Sequence, residues 1–415
     1  MRILIVTQYF WPENFRVNDL AEALAGHGHQ VTVLTGLPNY PAGRFFEGYG
    51  YFGPYREQRG NVRIVRVPLV PRGGGGGIRL ALNYLSFALM ASLIGPLRLG
   101  REYDVIFVHE PSPVTVGLPA IVMKWLTRAP IVFWVLDLWP ESVAATGALR
   151  SPYWLGWISR LVRFIYRRCD RILVSSRGFT SKVLAAGGEE EKIRYFPNWA
   201  ESLFGPQPRN MPPPVPLPDG FRVMFAGNVG AAQDFPAILD AAERLKAESK
   251  IQWMVLGEGR MLDWLNSEIA RRGLASTFHL LGQHPASSMP AFFAHADAML
   301  VSLSDDPVFA LTVPAKVQAY LACGRPIVAM LGGEGARVVQ DARAGIVCPA
   351  GDGNGLAQAV LALSRMSDAE REQLGANGLA CSRSEFDRAT LLARLEQWLT
   401  EAALTQPIQI TGKKP

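Results

Sequence analysis

An acid at the end of a buried strand and a lysine at the start of a helix are the residues of this chain best placed to do chemistry. The run IVFWVLDLWPES, Ile131–Ser142, passes abruptly from apolar residues to Asp137. A carboxylate there lies at the carboxyl edge of an α/β sheet, where ligands bind, or else it caps the next helix. Trp139 and Glu141 follow closely enough to shape the same pocket. His109 and Glu110 come after the apolar run Asp104–Val108 in the same topological position, as cleft residues or as structural ones. In VFALTVPAKVQAYLACGRP, Val308–Pro326, Pro314 suits a first helical turn, where a missing N–H costs little. Backbone N–H groups around Leu311, Thr312 and Val313 would then face an anion, favoured by the helix dipole. Lys316 in that first turn is repelled by the dipole unless an anion compensates, so it serves a phosphate or stays solvated. Upstream, FRVMFAGNVGAAQDF carries Gly227, Asn228 and Gly230 directly after a strand, where a nucleotide or its sugar can lie against backbone. WMVLGEGR adds Gly257 and Gly259 in the same setting.

These residues need a sheet edge to hold them, and the chain alternates strand-like and helix-like runs throughout. Arg2–Thr7, Gln30–Thr35, Asn61–Val67, Asp104–Val108, Pro130–Leu136 and Arg171–Ser175 are predicted strands, with a helix at Val17–Gly26. After the proline-dense stretch Gly205–Gly220 the rhythm restarts with Arg222–Ala226, Gln252–Leu256, Thr277–Leu281, Ala298–Ser302 and Pro326–Met330. The fold class is therefore α/β, with two doubly wound, Rossmann-like domains. The predicted layout is a first domain over 1–204, a linker over 205–220, a second domain over 221–388, a C-terminal helix over 389–404 and a tail over 405–415.

A length of 415 residues fits two domains, and 49% hydrophobic with 19% charged residues describes a globular chain. Residues 1–205 hold 23 Lys and Arg against 15 Asp and Glu, whereas the rest holds 19 against 21. A basic half suits an anionic membrane surface or a phosphate-bearing substrate. No nucleic-acid-binding signature accompanies it, so nucleic acid is a poor partner. Cys169, Cys323, Cys348 and Cys381 are widely spaced, which points to neither zinc nor disulfides and suits a reducing cytoplasm. The first residues enter a strand-like run at once, so no secretory signal is expected. The loop after the first strand, TQYFWPENFRVNDLAEAL, lacks a Gly-x-Gly-x-x-Gly turn, which disfavours a dinucleotide oxidoreductase.

In their order, these motifs resemble the retaining GT-B glycosyltransferases, family 4 of the carbohydrate-active classification. The resemblance runs from Met1 to about Thr400. Within it, the frame TVPAK-VQAYLA-CG-RP resembles the L-N-acetylfucosamine transferases of O-antigen and colanic-acid clusters. It implies two Rossmann-like domains facing an interdomain cleft, the last helix crossing back to the first domain. It implies a nucleotide-diphospho-sugar donor, most simply UDP-linked, with no cofactor and no metal. Acceptor handling falls by resemblance to Glu13, Asn14 and Arg16, and more weakly to Asn39 and Tyr40, with ordinary turn and cap roles as the alternative. Asp137 would orient or deprotonate the acceptor, and Lys316 would meet the diphosphate. The Gly257–Gly259 loop would border the base. Two departures stand out: the family's Glu-x7-Glu acids are replaced by Leu311 and Ala319, and Ala231–Asp234 holds no cation after the first glycine loop. An apolar sugar end suits a 6-deoxy or N-acetylated donor. Glu334, in LGGEGA, is a candidate for the ribose, or else an acid at a helix start.

The implied acceptor is a lipid-linked saccharide on the cytoplasmic leaflet, with the enzyme peripheral on the membrane's inner face. Trp154–Arg168 places Trp154, Trp157, Ile158, Leu161 and Ile165 on one stripe and Arg160, Arg163 and Arg167 off it, as an interfacial helix or one packed on its sheet. Ile78–Leu97 has about the minimal spanning length. Arg79, Asn83, Ser86, Ser92 and Pro96 interrupt it, favouring a core or surface-dipping helix. Two rivals remain: a sugar-nucleotide 2-epimerase of the same architecture, and a catalytically silent scaffold.

Overall fold

A computed structural model describes residues 1–74, 77–145, 149, 151–210 and 212–405. The predicted tail beyond Thr405 lies outside the described residues. The chain divides into two compact units, Met1–Phe196 with the residues from 389 on, and Pro197–Arg388.

The first unit is built on strands β1 (Arg2–Val6), β2 (Gln30–Gly36), β3 (Arg56–Arg59), β4 (Val62–Val67), β5 (Val105–Glu110), β6 (Ile131–Val135), β7 (Arg171–Val174) and β8 (Ile193–Tyr195). Among the described residues they form an 8-stranded sheet in the order β3-β4-β2-β1-β5-β6-β7-β8. All neighbours run parallel except β3, which is antiparallel on the edge. Helices cover both faces of such a sheet, so its central strands are apolar without alternation. Ile3–Val6 and Ile131–Val135 are accordingly buried throughout. The strand order reverses between β1 and β5, and their carboxyl ends carry Thr7 and Glu110. The helix Arg388–Leu404 belongs to this unit: His27 and His29 meet Glu396, Arg171 meets Glu401, and Trp398 packs on Phe196.

The second unit holds β9 (Phe221–Ala226), β10 (Ile251–Leu256), β11 (Phe278–Gly282), β12 (Ala298–Ser302), β13 (Ile327–Met330) and β14 (Gly345–Cys348). They form a parallel, 6-stranded sheet in the order β11-β10-β9-β12-β13-β14. Side chains alternate between two cores, as the pleat requires. Val223 and Phe225 join Trp253 and Val255 on one face. Met224 and Ala226 join Met254, Leu256 and the helix Ala315–Ala322 on the other. Here the order reverses between β9 and β12, just below Gly227.

Two expectations are corrected. The predicted strand Asp104–Val108 extends to Glu110, so His109 and Glu110 lie inside β5, paired with Trp134 and Val135 of β6. The stretch 205–220 is not a free linker. Val215 and Leu217, between its prolines, pack against the second unit's core, and Arg209 pairs with Asp297 at 2.9 Å.

Candidate functional site

In the first unit, the loops that leave β1, β2, β5 and β6 gather at the carboxyl edge of the sheet. Asp137 leaves β6 with its own N–H directed at Glu110 Oε2, 3.4 Å away. Its carboxylate Oδ2 accepts the Trp139 indole N–H at 3.1 Å, which holds it in this loop ahead of the helix Glu141–Ala145. The same indole reaches Ser112 Oγ at 3.3 Å and stands edge-on to Tyr84, ring centroids 6.0 Å apart. Burial pushes the Asp137 carboxyl above its usual range, opposed by the polar groups around it, the Trp139 indole N–H among them. A carboxyl of raised basicity beside an indole donor is suited to take a proton from a hydroxyl or to orient it.

Glu110 lies beneath Asp137, fully buried, and its Oε1 has no hydrogen-bond partner among the described residues. Burial, then the neighbouring Asp137, holds this carboxyl well above the ordinary carboxylate range. His109 is equally buried; its Nδ1 lies 3.1 Å from Thr7 Oγ1 and its ring stands against Trp134. Burial, with the nearby Arg16 cation, pushes its pKa down to about 3, so it stays neutral. Neither residue is open to an acceptor, which corrects the reading of both as cleft residues: they form the floor under Asp137.

Glu13 and Asn39 are corrected in the same way. Glu13 is buried, and its carboxylate accepts the backbone N–H groups of Phe10 at 3.1 Å and of Asn39 and Tyr40 at 2.8 Å. It ties the loop after β1 to the loop after β2. Burial nevertheless pushes its pKa up to about 7. The Asn39 side chain, also buried, donates to Leu37 O at 3.0 Å and accepts from the Arg72 N–H at 3.1 Å. What these two internal braces present outward is Tyr40, 37% exposed. Its ring tilts on Tyr9 and Phe15, which stack at 4.9 Å, and Arg72 covers it at 4.9 Å. Asn14 is exposed at the same edge, and Arg16 lies close to His109. Tyr9, Arg72, Tyr84 and Ser112 escaped the sequence reading. The loop motif EPSP after β5 was the available signal for Ser112.

In the second unit the glycine loops and the lysine meet. Gly227 takes φ +137°, and a Cβ there would lie 2.6 Å from Lys316 Cε and 3.0 Å from its Nζ. Only glycine leaves room for the lysine. Lys316 is brought over the loop by Tyr320, one turn further along the same helix. Its hydroxyl takes the Ala226 N–H at 3.2 Å at the end of β9. Lys316 Nζ is sealed from solvent, has no hydrogen-bond partner among the described residues and sits 3.5 Å over the Phe225 ring. Burial pushes its pKa down from 10.5 to about 7. An ammonium without a counter-ion at a helix start awaits an anion.

The second glycine loop has a different task. A Cβ on Gly257 would meet Gly227 O at 2.0 Å, and one on Gly259 would meet Val229 O at 2.1 Å. These glycines let the two loops pack together, so they support the ligand loop rather than offering open backbone. Gly230 starts a short turn whose Gln233 side chain accepts the Gly230 N–H at 3.2 Å, with Asn228 exposed beside it. The Leu311 and Thr312 N–H groups are already bonded to Val308 O and Phe309 O, which corrects their assignment to an anion. Pro314 is the N-cap, which leaves the N–H groups of Ala315 and Lys316 as the unpaired start of the helix. Glu334 opens the helix Gly333–Asp341 and pairs with Arg337 at 2.6 Å. Gly333 packs on Ala310 and Gly335 on Pro314, so Glu334 is held beside Thr312–Pro314. Leu311 is partly buried, whereas Ala319 is part of the core.

Residues 14–199 match the glycosyl transferase 4-like domain family, and residues 220–366 match glycosyl transferases group 1. A protein of Pseudomonas aeruginosa named as a probable glycosyltransferase, WbjE, is 30% identical over 290 residues, 68% of this chain and 70% of its own. A protein of Escherichia coli (strain K12) named for colanic acid biosynthesis glycosyl transfer, WcaI, is 25% identical over 340 residues, 78% of this chain and 82% of its own. Among solved structures, Anabaena HepE in complex with UDP and glucose superposes with a TM-score of 0.66 at 16% identity, covering 96% of this chain and 99% of that one.

Proposed function

The chain belongs to the glycosyltransferases of GT-B fold, and on that premise we propose that it moves a sugar from a UDP-linked donor to a lipid-linked saccharide in surface polysaccharide biosynthesis. One observation carries the reading: Lys316 Nζ is sealed, without a partner among the described residues, and held against the Gly227 loop at the carboxyl edge of the second sheet. A diphosphate is the anion that such a site suits, with the Ala315 and Lys316 N–H groups beside it. The colanic acid biosynthesis in the name of WcaI supports the polysaccharide setting, and UDP in the HepE structure supports the donor.

The chemistry follows from the residues. As the bond from the sugar to the diphosphate breaks, negative charge builds on the leaving phosphate, and Lys316 stabilises it as a preorganised cation. Asp137 orients the acceptor hydroxyl and takes its proton. Tyr40 and Trp139 offer rings on which an acceptor sugar rests. Transfer with retention and without a metal is part of the proposal. So is an N-acetylated 6-deoxy sugar, whose methyl groups suit the apolar Leu311. The acceptor places the enzyme peripherally on the cytoplasmic face of the membrane.

The test incubates purified protein with radiolabelled UDP-N-acetylhexosamines and membrane lipid. Label in the lipid fraction supports transfer. Isomerised sugar without labelled lipid indicates an epimerase, and binding without turnover indicates a scaffold.

A further inference from the structure

The helix Gly77–Leu93 carries apolar residues on both its buried and its exposed face. Its inward face packs Phe87, Ala88 and Ala91 together with the polar Asn83 and Ser86. Asn83 is fully buried, donating to Val70 O at 2.6 Å and accepting from Gln8 Nε2 at 2.7 Å, while Ser86 Oγ accepts the Val70 N–H at 2.9 Å. Its leucines point outward. Ile78 is 83% exposed, Leu82 49%, Leu85 58%, Leu89 54% and Leu93 59%. These positions recur at intervals of three and four, one continuous helical face, and Leu97 extends it at 83% exposure. An apolar stripe of that length does not belong in water.

Two neighbouring helices continue the surface. Gly117–Thr127 packs on Gly77–Leu93, and Pro152–Tyr166 packs on Gly117–Thr127 in turn. The first exposes Trp125, and the second exposes Tyr153, Trp154 and Trp157. This corrects the expected stripe: Ile165 is in the core, while Trp154 and Trp157 face outward with Arg160 over the Trp157 ring. Residues 77–101, 117–130 and 151–169 together contain nine Lys and Arg and no Asp or Glu. A surface of leucines, indoles and arginines complements an anionic interface with an oily interior, with Glu102 and the Lys124–Asp170 pair at its border. Among the described residues no helix is long and apolar enough to cross a membrane.

We infer that the outward leucine face of Gly77–Leu93, bordered by Tyr153, Trp154 and Trp157, is a docking surface that seats the first unit in the headgroup region of an anionic lipid bilayer. The leucines enter the acyl boundary, the indoles and the tyrosine lie at headgroup depth, and Arg160, Arg163 and Arg167 meet lipid phosphates. The inference rests on the lipid-borne acceptor proposed above for its purpose and on its own residues for its chemistry.

The test is flotation of the full chain with phosphatidylcholine vesicles, with and without phosphatidylglycerol. Wild type is expected to float with the anionic vesicles and much less with the neutral ones. Combining Leu82→Gln, Leu85→Gln and Leu89→Gln should cut the bound fraction at least about tenfold while thermal stability holds, because these side chains are exposed. Combining Arg160→Gln, Arg163→Gln and Arg167→Gln should weaken only the anionic preference. Flotation of the leucine variant like wild type overturns the inference. So does a wild type that stays with buffer, or a wild-type dimer that the leucine substitutions convert to monomer without any flotation. Transfer to a water-soluble glycoside separates the two readings: it should survive in the leucine variant, and its absence from wild type would count against the transferase reading alone.

Discussion

At the scale of single residues, Lys316 and Asp137 carry the two halves of the proposed reaction, and each makes a prediction of its own. Lys316 in the free protein loses its proton near pH 7, far below 10.5, because its ammonium is buried without a counter-ion. A bound diphosphate supplies that counter-ion and returns the proton. UDP affinity should therefore fall with rising pH above about 7, by up to tenfold per unit, and binding at pH 8 should take up a proton. Titration calorimetry in buffers of different ionisation enthalpy reads both effects, and Lys316→Met should abolish them along with most of the affinity. Stability has the opposite slope. Between about 7 and 10.5 the unfolded chain holds the proton that the folded chain has released, so the unliganded protein gains stability as pH rises through this window. Asp137→Asn should keep UDP binding and the melting temperature near those of wild type while lowering turnover roughly 10²–10⁴-fold. An active Asn variant would remove Asp137 from the mechanism. The pairing of residue type with position made both visible in the sequence: a cation at the wrong end of a helix dipole, and an acid after an apolar run. Glu13 was visible only as an acid in a loop. Its partners, the N–H groups of Asn39 and Tyr40, are 26 and 27 residues away, and nothing local announces them.

At the scale of elements, a helix pinned to a strand end makes the site. Tyr320 joins the helix Ala315–Ala322 to Ala226, and that contact sets where Lys316 falls. Tyr320→Phe should cost about 1 kcal/mol of stability by denaturant titration. UDP affinity should fall as well, since the helix is released from β9. Gly257→Ala should be worse, by roughly 2–3 kcal/mol, because the new methyl meets the Gly227 carbonyl in a backbone conformation that alanine avoids. The apolar strands were readable because burial on both faces leaves unbroken hydrophobic runs. β3, with sequence REQR, carries no such run, since an edge strand can be charged. β8, IRY, is partly exposed throughout, and β14, GIVC, is fully buried only at Cys348, so neither shows the unbroken apolar run of an inner strand. The helix Gly77–Leu93 was readable as apolar but its exposed leucine face was not, because the partners that turn Asn83 and Ser86 inward come from distant segments.

At the scale of the whole molecule, two sheets of the same kind hold complementary chemistry in one chain. The first unit presents a carboxyl of raised basicity, aromatic rings and a basic, apolar exterior. The second presents glycine loops and an unpaired cation. The repeated βα rhythm made both sheets legible. The path of 205–220 along the second unit was hidden behind its prolines. The measurement that bears most directly on the central claim follows UDP release and labelled lipid together, in one reaction of purified protein, UDP-sugar and membrane lipid. A glycosyltransferase releases one UDP for each sugar gained by lipid, and the account predicts this equivalence throughout the time course. UDP released without labelled lipid, or sugar isomerised with none transferred, would contradict it.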